Sequence, residues 1–295
     1  MSERGLTKSD IRELLGLDGG SPKRSLGQNF LVDPSFARKI ASASVSFEDG
    51  TIVEIGPGFG SLTLHLVSIV DRVVAIEKDD IVAKKLVELA GARSVENLTI
   101  VNGDALDIEY ADFMRGIGSK VIVGNLPYNI SVPLILKIIS ESAGVAERAV
   151  FMVQKEVAER LSSDPGNRNS SFTSLKRAFF ASARILFDVP PSVFFPEPNV
   201  TSSIIELRSD RSLPGHMHPA ETEMALLLAK KAFGNRRQMV RRTLRDELEI
   251  LTAAGIDGAM RPEALDVASW LAIGRRAVEA GLVSTEITGA RRGEL

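Results

Sequence analysis

Thr51-Ile52-Val53-Glu54-Ile55-Gly56-Pro57-Gly58-Phe59-Gly60-Ser61-Leu62-Thr63 is the stretch on which the fold turns. A short apolar run rich in β-branched residues gives way to glycines at 56, 58 and 60, and a helix-like pattern follows. Strand, tight turn, helix is the reading. Glycines let a backbone bend sharply and approach a ligand, and the helix beyond them presents free N–H groups. The spacing is not the Gly-x-Gly-x-x-Gly of dinucleotide binders, because its last interval is shorter. Taken alone the turn is a weak signal, since any strand-to-helix turn can look this way. Outward from it, 72–77, 98–101, 121–124 and 149–153 read as further buried strands, with helical segments at 61–70 and 79–89 between the early ones. This alternation predicts an α/β protein with a Rossmann-like, mostly parallel sheet.

Thr7-Lys8-Ser9-Asp10 has the form of a capping box ahead of Ile11, Leu14 and Leu15, predicting a short N-terminal helix. Asp33-Pro34 reads as an N-cap and first helical position, and Ser131-Val132-Pro133 opens a helix carrying Leu134, Ile135, Ile138 and Ile139 on one face. Segments 183–189 and 202–207 bracket a proline-rich loop and suit antiparallel strands at one sheet edge. Residues 208–220, with Pro214, Gly215 and Pro219, read as a linker. The expected domains are therefore 1–207, with an N-terminal helical extension, and an all-helical 221–295. In the second, helices are expected at 221–233, 238–248 and 262–280, with 289–295 frayed.

Of the 295 residues, 44% are hydrophobic and 25% charged, the balance of a soluble globular protein. That length exceeds what one ordinary core carries. Cysteine is absent, which excludes disulfides and cysteine-based zinc sites and fits a reducing cytoplasm. No segment approaches the roughly 20 apolar residues of a membrane span, so a cytoplasmic protein with no membrane partner is expected. The net charge of −2 argues against a nucleic-acid partner only if charge is evenly spread, and it is not.

The chemistry builds on the glycine turn. Glu77 closes the second strand about 20 residues on, where a carboxylate can accept both hydroxyls of a ribose. Asp104, in Asn102-Gly103-Asp104-Ala105 after the third strand, can hold an adenine amine. With Gly56 and Gly58 these imply an adenosyl ligand. NAD would also need a hydride-transfer constellation of His or Tyr, and none is present. S-adenosylmethionine carries a sulfonium cation, which suits Glu54, Glu77 and Asp104. Asn125-Leu126-Pro127-Tyr128, directly after the fourth strand, then stands where a methyl acceptor should lie. An exocyclic adenine amine is a poor nucleophile because its lone pair delocalises into the ring. The Asn125 side-chain oxygen and the Leu126 carbonyl, whose direction rigid Pro127 sets, can accept its N–H bonds above an aromatic face from Tyr128.

Ser25-Leu26-Gly27-Gln28-Asn29-Phe30-Leu31, the run 54–63, Gly124-Asn125-Leu126-Pro127-Tyr128-Asn129-Ile130-Ser131, and Pro190-Pro191-Ser192-Val193-Phe194-Phe195-Pro196 lie in order and spacing. Together they resemble the ribosomal RNA adenine dimethyltransferases, nearest the small-subunit branch of KsgA type, from about Lys23 through Leu207 and again from Ala232. The resemblance implies N6,N6-dimethylation of two adjacent adenosines in a hairpin loop of small-subunit (16S) RNA. The substrate implied is a pre-ribosomal 30S particle and the methyl donor S-adenosylmethionine; a monomer that requires no metal is expected. It further implies that Asn29 and Leu31 close over the donor and Gly56 lines its methionine part, with Glu77 on ribose and Asp104 on adenine. Asn125, also expected to border the donor, and Leu126 would hold the target amine, with Tyr128 stacked on the flipped base and Phe194 covering its other face. Pro165-Gly166-Asn167-Arg168-Asn169-Ser170-Ser171 departs from the family's Lys-x-Tyr-Gly stretch, with Ser170 at the tyrosine position.

Lys230, Lys231, Arg236, Arg237, Arg241, Arg242 and Arg245 fall in one run without an acidic residue. Helical spacing would line up Arg237, Arg241 and Arg245, a row suited to RNA phosphates. A solvated helix face is the plainer alternative. His216 and His218 lack the companions of a metal site, His65 reads as structural, and Trp270 as core. Three other readings stay open. An erythromycin-resistance-type enzyme would act on large-subunit RNA, a DNA adenine methyltransferase would favour Asn-Pro-Pro-Tyr, and an assembly factor would act by binding alone.

Overall fold

The computed structural model describes residues 5–16, 29–45, 50–142 and 145–282. Ser25-Leu26-Gly27-Gln28 and the 289–295 tail lie outside them. The strands are β1 (Phe30–Leu31), β2 (Thr51–Ile55), β3 (Arg72–Glu77), β4 (Leu98–Asn102), β5 (Val121–Asn125), β6 (Arg148–Gln154), β7 (Ala181–Val189), β8 (Phe194–Phe195) and β9 (Ser202–Ser209). Seven of them form one sheet in the order β4-β3-β2-β5-β6-β9-β7, and β1 pairs with β8 in a separate ribbon. β4, β3, β2, β5 and β6 run parallel, and β9 is antiparallel to β6. Strand order reverses between β2 and β5, so a crevice opens beyond their carboxyl ends. Ile52, Val53, Val73, Ala75, Ile122 and Val123 are fully buried, as expected of central parallel strands covered on both faces. Each large member contributes roughly 1.5–3 kcal/mol.

The helices around this sheet follow local signals where those are strong. α1 (Lys8–Gly16) starts as expected: the Thr7 N–H and hydroxyl both donate to Asp10 Oδ2 at 2.7 Å. α2 (Pro34–Ser44) is capped by Asp33, whose Oδ1 accepts from Ser35 N at 2.8 Å and Phe36 N at 3.0 Å. The helix expected over 61–70 shrinks to α3 (Thr63–Leu66). Beyond it the backbone tightens into three-residue turns, Ser68 N to His65 O and Ile69 N to Leu66 O, and the Ser68 hydroxyl donates to the His65 carbonyl. α4 (Asp80–Ala92) begins one residue later than expected because Asp79 is its N-cap. α5 (Tyr110–Ile117), for which the sequence pattern gives no expectation, precedes α6 (Ser131–Glu141). At the far end of β9, Glu206 is almost fully buried and accepts from Arg148, Arg184 and Arg208. Burial alone would raise its carboxyl, yet the guanidinium groups hold it down to about 2.

The chain separates into two compact units, and the expected single boundary at 208–220 gives only part of the division. Arg160–Ser182 groups with Asp210 onward, although the expected first domain includes it. This second unit draws on the end of α7 (Lys155–Ser162) and on α8 (Phe172–Phe180). Arg177 on α8 holds the segment closed, donating to the carbonyls of Leu161, Ser163 and Ala181. The expected linker carries a short helix, α9 (Pro214–Met217), and Gly215 lies where any Cβ would strike the Phe180 ring. α10 (Pro219–Phe233) then packs on α13 (Val267–Glu279) around buried Leu228, Trp270 and Ile273. The helix expected over 262–280 opens with a 3-10 turn at Pro262–Ala264, and α13 starts afresh from its Asp266 cap.

The expected 238–248 helix is not continuous. α11 (Val240–Thr243), a 3-10 turn at Arg245–Glu247 and α12 (Leu248–Ala253) replace it. The physical reason is tertiary: Val240 N donates to Met260 O and Arg241 N to Gly258 O, so the first turn of α11 is tied to a distant loop. Leu244, at φ −117, then breaks the helical path. Arg237, Arg241 and Arg245 therefore do not form a row on one helix.

Candidate active site

The first unit holds a cavity of about 190 Å³ at the carboxyl ends of β2, β3, β4 and β5. Gly56, Gly58 and Gly60 have φ of 65, 58 and 94, a left-handed path that L side chains rarely take. Gly56 N donates to Ile76 O, which ties the turn to β3. A Cβ at position 58 would come within 3.3 Å of the Phe30 ring, itself stacked at 4.8 Å on Phe59. Asn29 and Leu31 line the same cavity, with β1 held by its pairing to β8.

Three carboxylates mark the cavity wall. Glu77 is anchored: its Oε2 accepts from Gly58 N at 3.1 Å and its Oε1 from Asp79 N at 2.9 Å. Burial still moves its carboxyl upward, against those bonds. Glu54, 1% exposed, is pushed up to about 8 by burial, with the Thr63 hydroxyl offsetting the rise and Glu77 adding to it. Its Oε2 has no hydrogen-bond partner among the described residues. Asp104 is engaged on both oxygens, accepting from Leu106 N at 2.9 Å and from the Lys78 ammonium. Lys78 holds the Asp104 carboxyl below the usual range. Lys78 also lines the cavity; its sequence signal was only its place directly after Glu77.

Asn125, Leu126, Pro127 and Tyr128 form the other side. Asn125 ends β5, and its Nδ2 donates to the Asn29 carbonyl at 3.1 Å. That bond uses one of the two amide N–H donors and leaves Oδ1 as the acceptor of the group. Leu126 N donates to Met152 O, while its own carbonyl has no hydrogen-bond partner among the described residues. Ser131 Oγ donates to the Tyr128 carbonyl at 3.2 Å. Gly124 permits the close passage of β5 along β2, since a Cβ there would lie 2.5 Å from Ile55 O.

Phe194 does not join the cavity. It is 2% exposed within the apolar core and pairs with Leu31 across the β1–β8 ribbon. β8 alternates its faces, so its neighbour Phe195 points elsewhere, beneath the cations of Lys8 and Arg12. The Phe195–Pro196 peptide is cis.

In the second unit, Lys230, Arg236, Arg237, Arg241, Arg242 and Arg245 are exposed. Lys231 is committed inwardly, at 2.7 Å from Glu247. Arg236 donates to the Arg168 carbonyl and lies 3.8 Å from Glu263, and Arg245 faces Asp246 at 3.5 Å. Lys230, Arg237, Arg241 and Arg242 are exposed and have no ion-pair partner among the described residues. His216 meets the Phe180 ring edge-on, and no group of three or more metal-ligating side chains occurs among the described residues. Trp270 is fully buried, as expected.

A parallel sheet with β9 inserted antiparallel, and a ligand cavity at its switch point, defines a Rossmann-like methyltransferase. Residues 20–277 match the model of the ribosomal RNA adenine dimethylase family. The chain is 38% identical over 267 residues to ribosomal RNA small subunit methyltransferase A of Magnetococcus marinus, covering 88% of this chain and 93% of that one. It is 36% identical over 277 residues to the protein of the same description from Rhodospirillum rubrum, covering 92% and 94%. Among solved structures, a dimethyladenosine transferase from Plasmodium falciparum aligns with TM-score 0.72 at 23% identity, covering 85% of this chain and 98% of its own. The 23S rRNA methyltransferase ErmE aligns with TM-score 0.61 at 25% identity, covering 84% and 98%. The chain belongs to the ribosomal RNA adenine dimethylase family, and it is a methyltransferase.

Proposed function

We propose that the chain dimethylates N6 of two adjacent adenosines in a hairpin loop of small-subunit ribosomal RNA, acting as a cytoplasmic monomer on a pre-ribosomal 30S particle. The curated relatives named for the small subunit support that substrate over the large-subunit alternative. The cavity suits S-adenosylmethionine: Glu77 and Asp104 line it together with Glu54, whose buried oxygen is unpartnered among the described residues and whose proton a cationic ligand would displace, and the glycines at 56 and 58 leave room for an adenosyl ligand. When bound, it supplies an electrophilic methyl on a positively charged sulfur.

Glu77 would accept the ribose hydroxyls through lone pairs left beyond its two backbone bonds, and Asp104 the adenine amine. Gly56 and Gly58 would run along the methionine part, with Asn29 and Leu31 above. The Asn125 amide carries this reading: its Nδ2 is turned to the Asn29 carbonyl, which would leave Oδ1 as the acceptor for the target amine. The Leu126 carbonyl would accept the second N–H, which draws the lone pair out of the ring. Tyr128 would stack on the extruded base. The amine proton becomes acidic only as the new N–C bond forms, so positioning does the work and no strong base is required. Lys230, Arg236, Arg237, Arg241, Arg242 and Arg245 would meet RNA phosphates, with Lys231 acting through its ion pair.

The test incubates the protein with methyl-labelled donor and, separately, under-methylated small subunits, large subunits and DNA. Label in dimethyladenosine of the small subunit alone is expected. Label on large subunits alone would move the chain to the erythromycin-resistance type, and no transfer to any polynucleotide would refute the catalytic reading.

A further inference from the structure

Among the groups around the cavity, one hydrogen bond has no place in the chemistry above. The Tyr128 hydroxyl lies 2.7 Å from Ser202 Oγ, a bond spanning 74 residues of chain. Ser202 is fully buried and is the first residue of β9, paired across the sheet with Gln154 of β6. Its surroundings are stiff. Lys155 N donates to the Thr201 carbonyl at 3.0 Å. Ser203 Oγ donates to Asp188 at 2.7 Å, and Asp188 pairs with Lys155 at 2.6 Å. Ser202 is therefore a fixed point of the sheet, while Tyr128 sits in an irregular turn, half-buried, with its backbone carbonyl held by Ser131.

We infer that Ser202 is a positioning residue for the methyl transfer, clamping the Tyr128 hydroxyl so that the ring keeps one orientation as a platform for the target base. The inference rests on the reading that Tyr128 stacks on the flipped adenine. A tyrosine ring bound only at its backbone can rotate about both side-chain torsions. A hydrogen bond at the far end of the ring removes that freedom before RNA arrives, so less ordering is needed when the base docks. Ser202 itself touches no reacting atom. Its effect should appear in RNA docking and turnover and be absent from donor binding.

The experiment is a double-mutant cycle of Tyr128→Phe and Ser202→Ala in the full chain, with small subunits as substrate. Tyr128→Phe keeps the stacking face and loses only the hydroxyl. Each single change should lower kcat/KM for RNA by about 3- to 10-fold, the worth of one intramolecular hydrogen bond. Donor affinity, read by calorimetry without RNA, should be unchanged. The decisive arm is the double variant, which should be no worse than either single one. A 2-aminopurine placed at the target position of a model hairpin should show the same weakened stacking in all three. Multiplying effects, or a loss in Ser202→Ala that persists fully in the Tyr128→Phe background, would overturn the inference and make Ser202 a general packing residue. Full activity in Tyr128→Ala would overturn the stacking reading itself, while loss in Tyr128→Ala with wild-type behaviour in both Ser202→Ala and Tyr128→Phe would overturn only the clamp.

Discussion

Replacing Glu54 by Gln should make the protein more stable at neutral and alkaline pH, and less able to discharge a proton on donor binding. Burial raises the carboxyl from 4.5 to about 8 in the fold. Between those two values the native state holds a proton that the unfolded chain has released. The stabilising contribution is therefore complete below pH 4.5 and is lost as pH climbs through about 8. Each pH unit in that window is worth about 1.4 kcal/mol. From pH 5 to pH 8 the wild type should lose of order 4 kcal/mol relative to Glu54→Gln, which does not titrate. The amide that Gln introduces needs a partner in a buried place, an offset of about 1–3 kcal/mol that does not change with pH. The pH slope, more than the absolute difference, is the test. Urea unfolding of both proteins at four pH values across that window would measure it. The two stability curves should diverge steadily, and parallel curves would refute the burial argument. Donor binding adds an independent check. A cationic ligand beside Glu54 stabilises its ionised form, so calorimetry near neutral pH in buffers of different ionisation heat should show release of up to about one proton from the wild type and none from the variant.

Other perturbations reach the remaining parts of the site. Asn125→Ala should lower kcat by roughly 10²–10³, the scale of removing one aimed polar group from a transition state, while donor binding measured by calorimetry changes little; a change confined to KM would contradict it. Lys78→Met frees Asp104 Oδ2 from an ion pair whose lysine is 58% exposed; because such pairs are weak, donor affinity should rise by about 2- to 5-fold, and weaker binding would instead show that Lys78 holds Asp104 in place for the ligand. Reversing Arg237 and Arg241 to Glu should weaken RNA binding and reduce its salt slope by about one for each phosphate no longer neutralised, with donor affinity intact; equal RNA affinity would leave those arginines a solvated surface. Gly274→Ala should destabilise the second unit by several kcal/mol, because its Cβ would lie 2.0 Å from the Glu221 carbonyl where α10 and α13 pack together; a melting temperature equal to wild type would contradict that packing.

How much of this was legible in the chain depends on how local each cause is. Strands β2, β3, β5 and β6 follow from unbroken apolar runs buried on both faces, and the Thr7 and Asp33 caps from hydrogen bonds spanning two or three residues. Each carries its signal in its own neighbourhood. The β1–β8 ribbon does not: both strands are two residues long, and their pairing joins Phe30 to Phe195 across the chain. The arginine row failed for a similar reason, since helical spacing says nothing of backbone bonds to Gly258 and Met260. The segment Arg160–Ser182 joins the second unit through the packing of α8 on α9, α10 and α13, and the arginine that closes it is buried among carbonyls, a role that composition cannot distinguish from a surface charge.

The same division runs through the candidate site, where Asn125 lines the cavity and Phe194 is buried without lining it. A motif names groups, and where a group's direction is set by its own backbone, as rigid Pro127 sets the Leu126 carbonyl, naming it is almost enough. Phe194 and Phe195 are adjacent in one motif, but a strand sends neighbours to opposite faces. Only the pairing partner decides which of them reaches a given side, and that partner, β1, lies far away in sequence. Asn125 needed its partner too. Its amide has two chemically opposite edges, and the Asn29 carbonyl, 96 residues distant, selects which edge is spent. A carbonyl can only accept, so it is the amide nitrogen that turns to Asn29, with Oδ1 on the other side of the group. Tyr128 and Ser202 extend the pattern. The chemical groups cluster within a few residues of β5, whereas the bonds that aim them arrive from the β1 and β9 segments. Substitutions at the β9 end of this arrangement should therefore change turnover through orientation with donor affinity intact, whereas those in the β1 segment, which also lines the cavity, should change both.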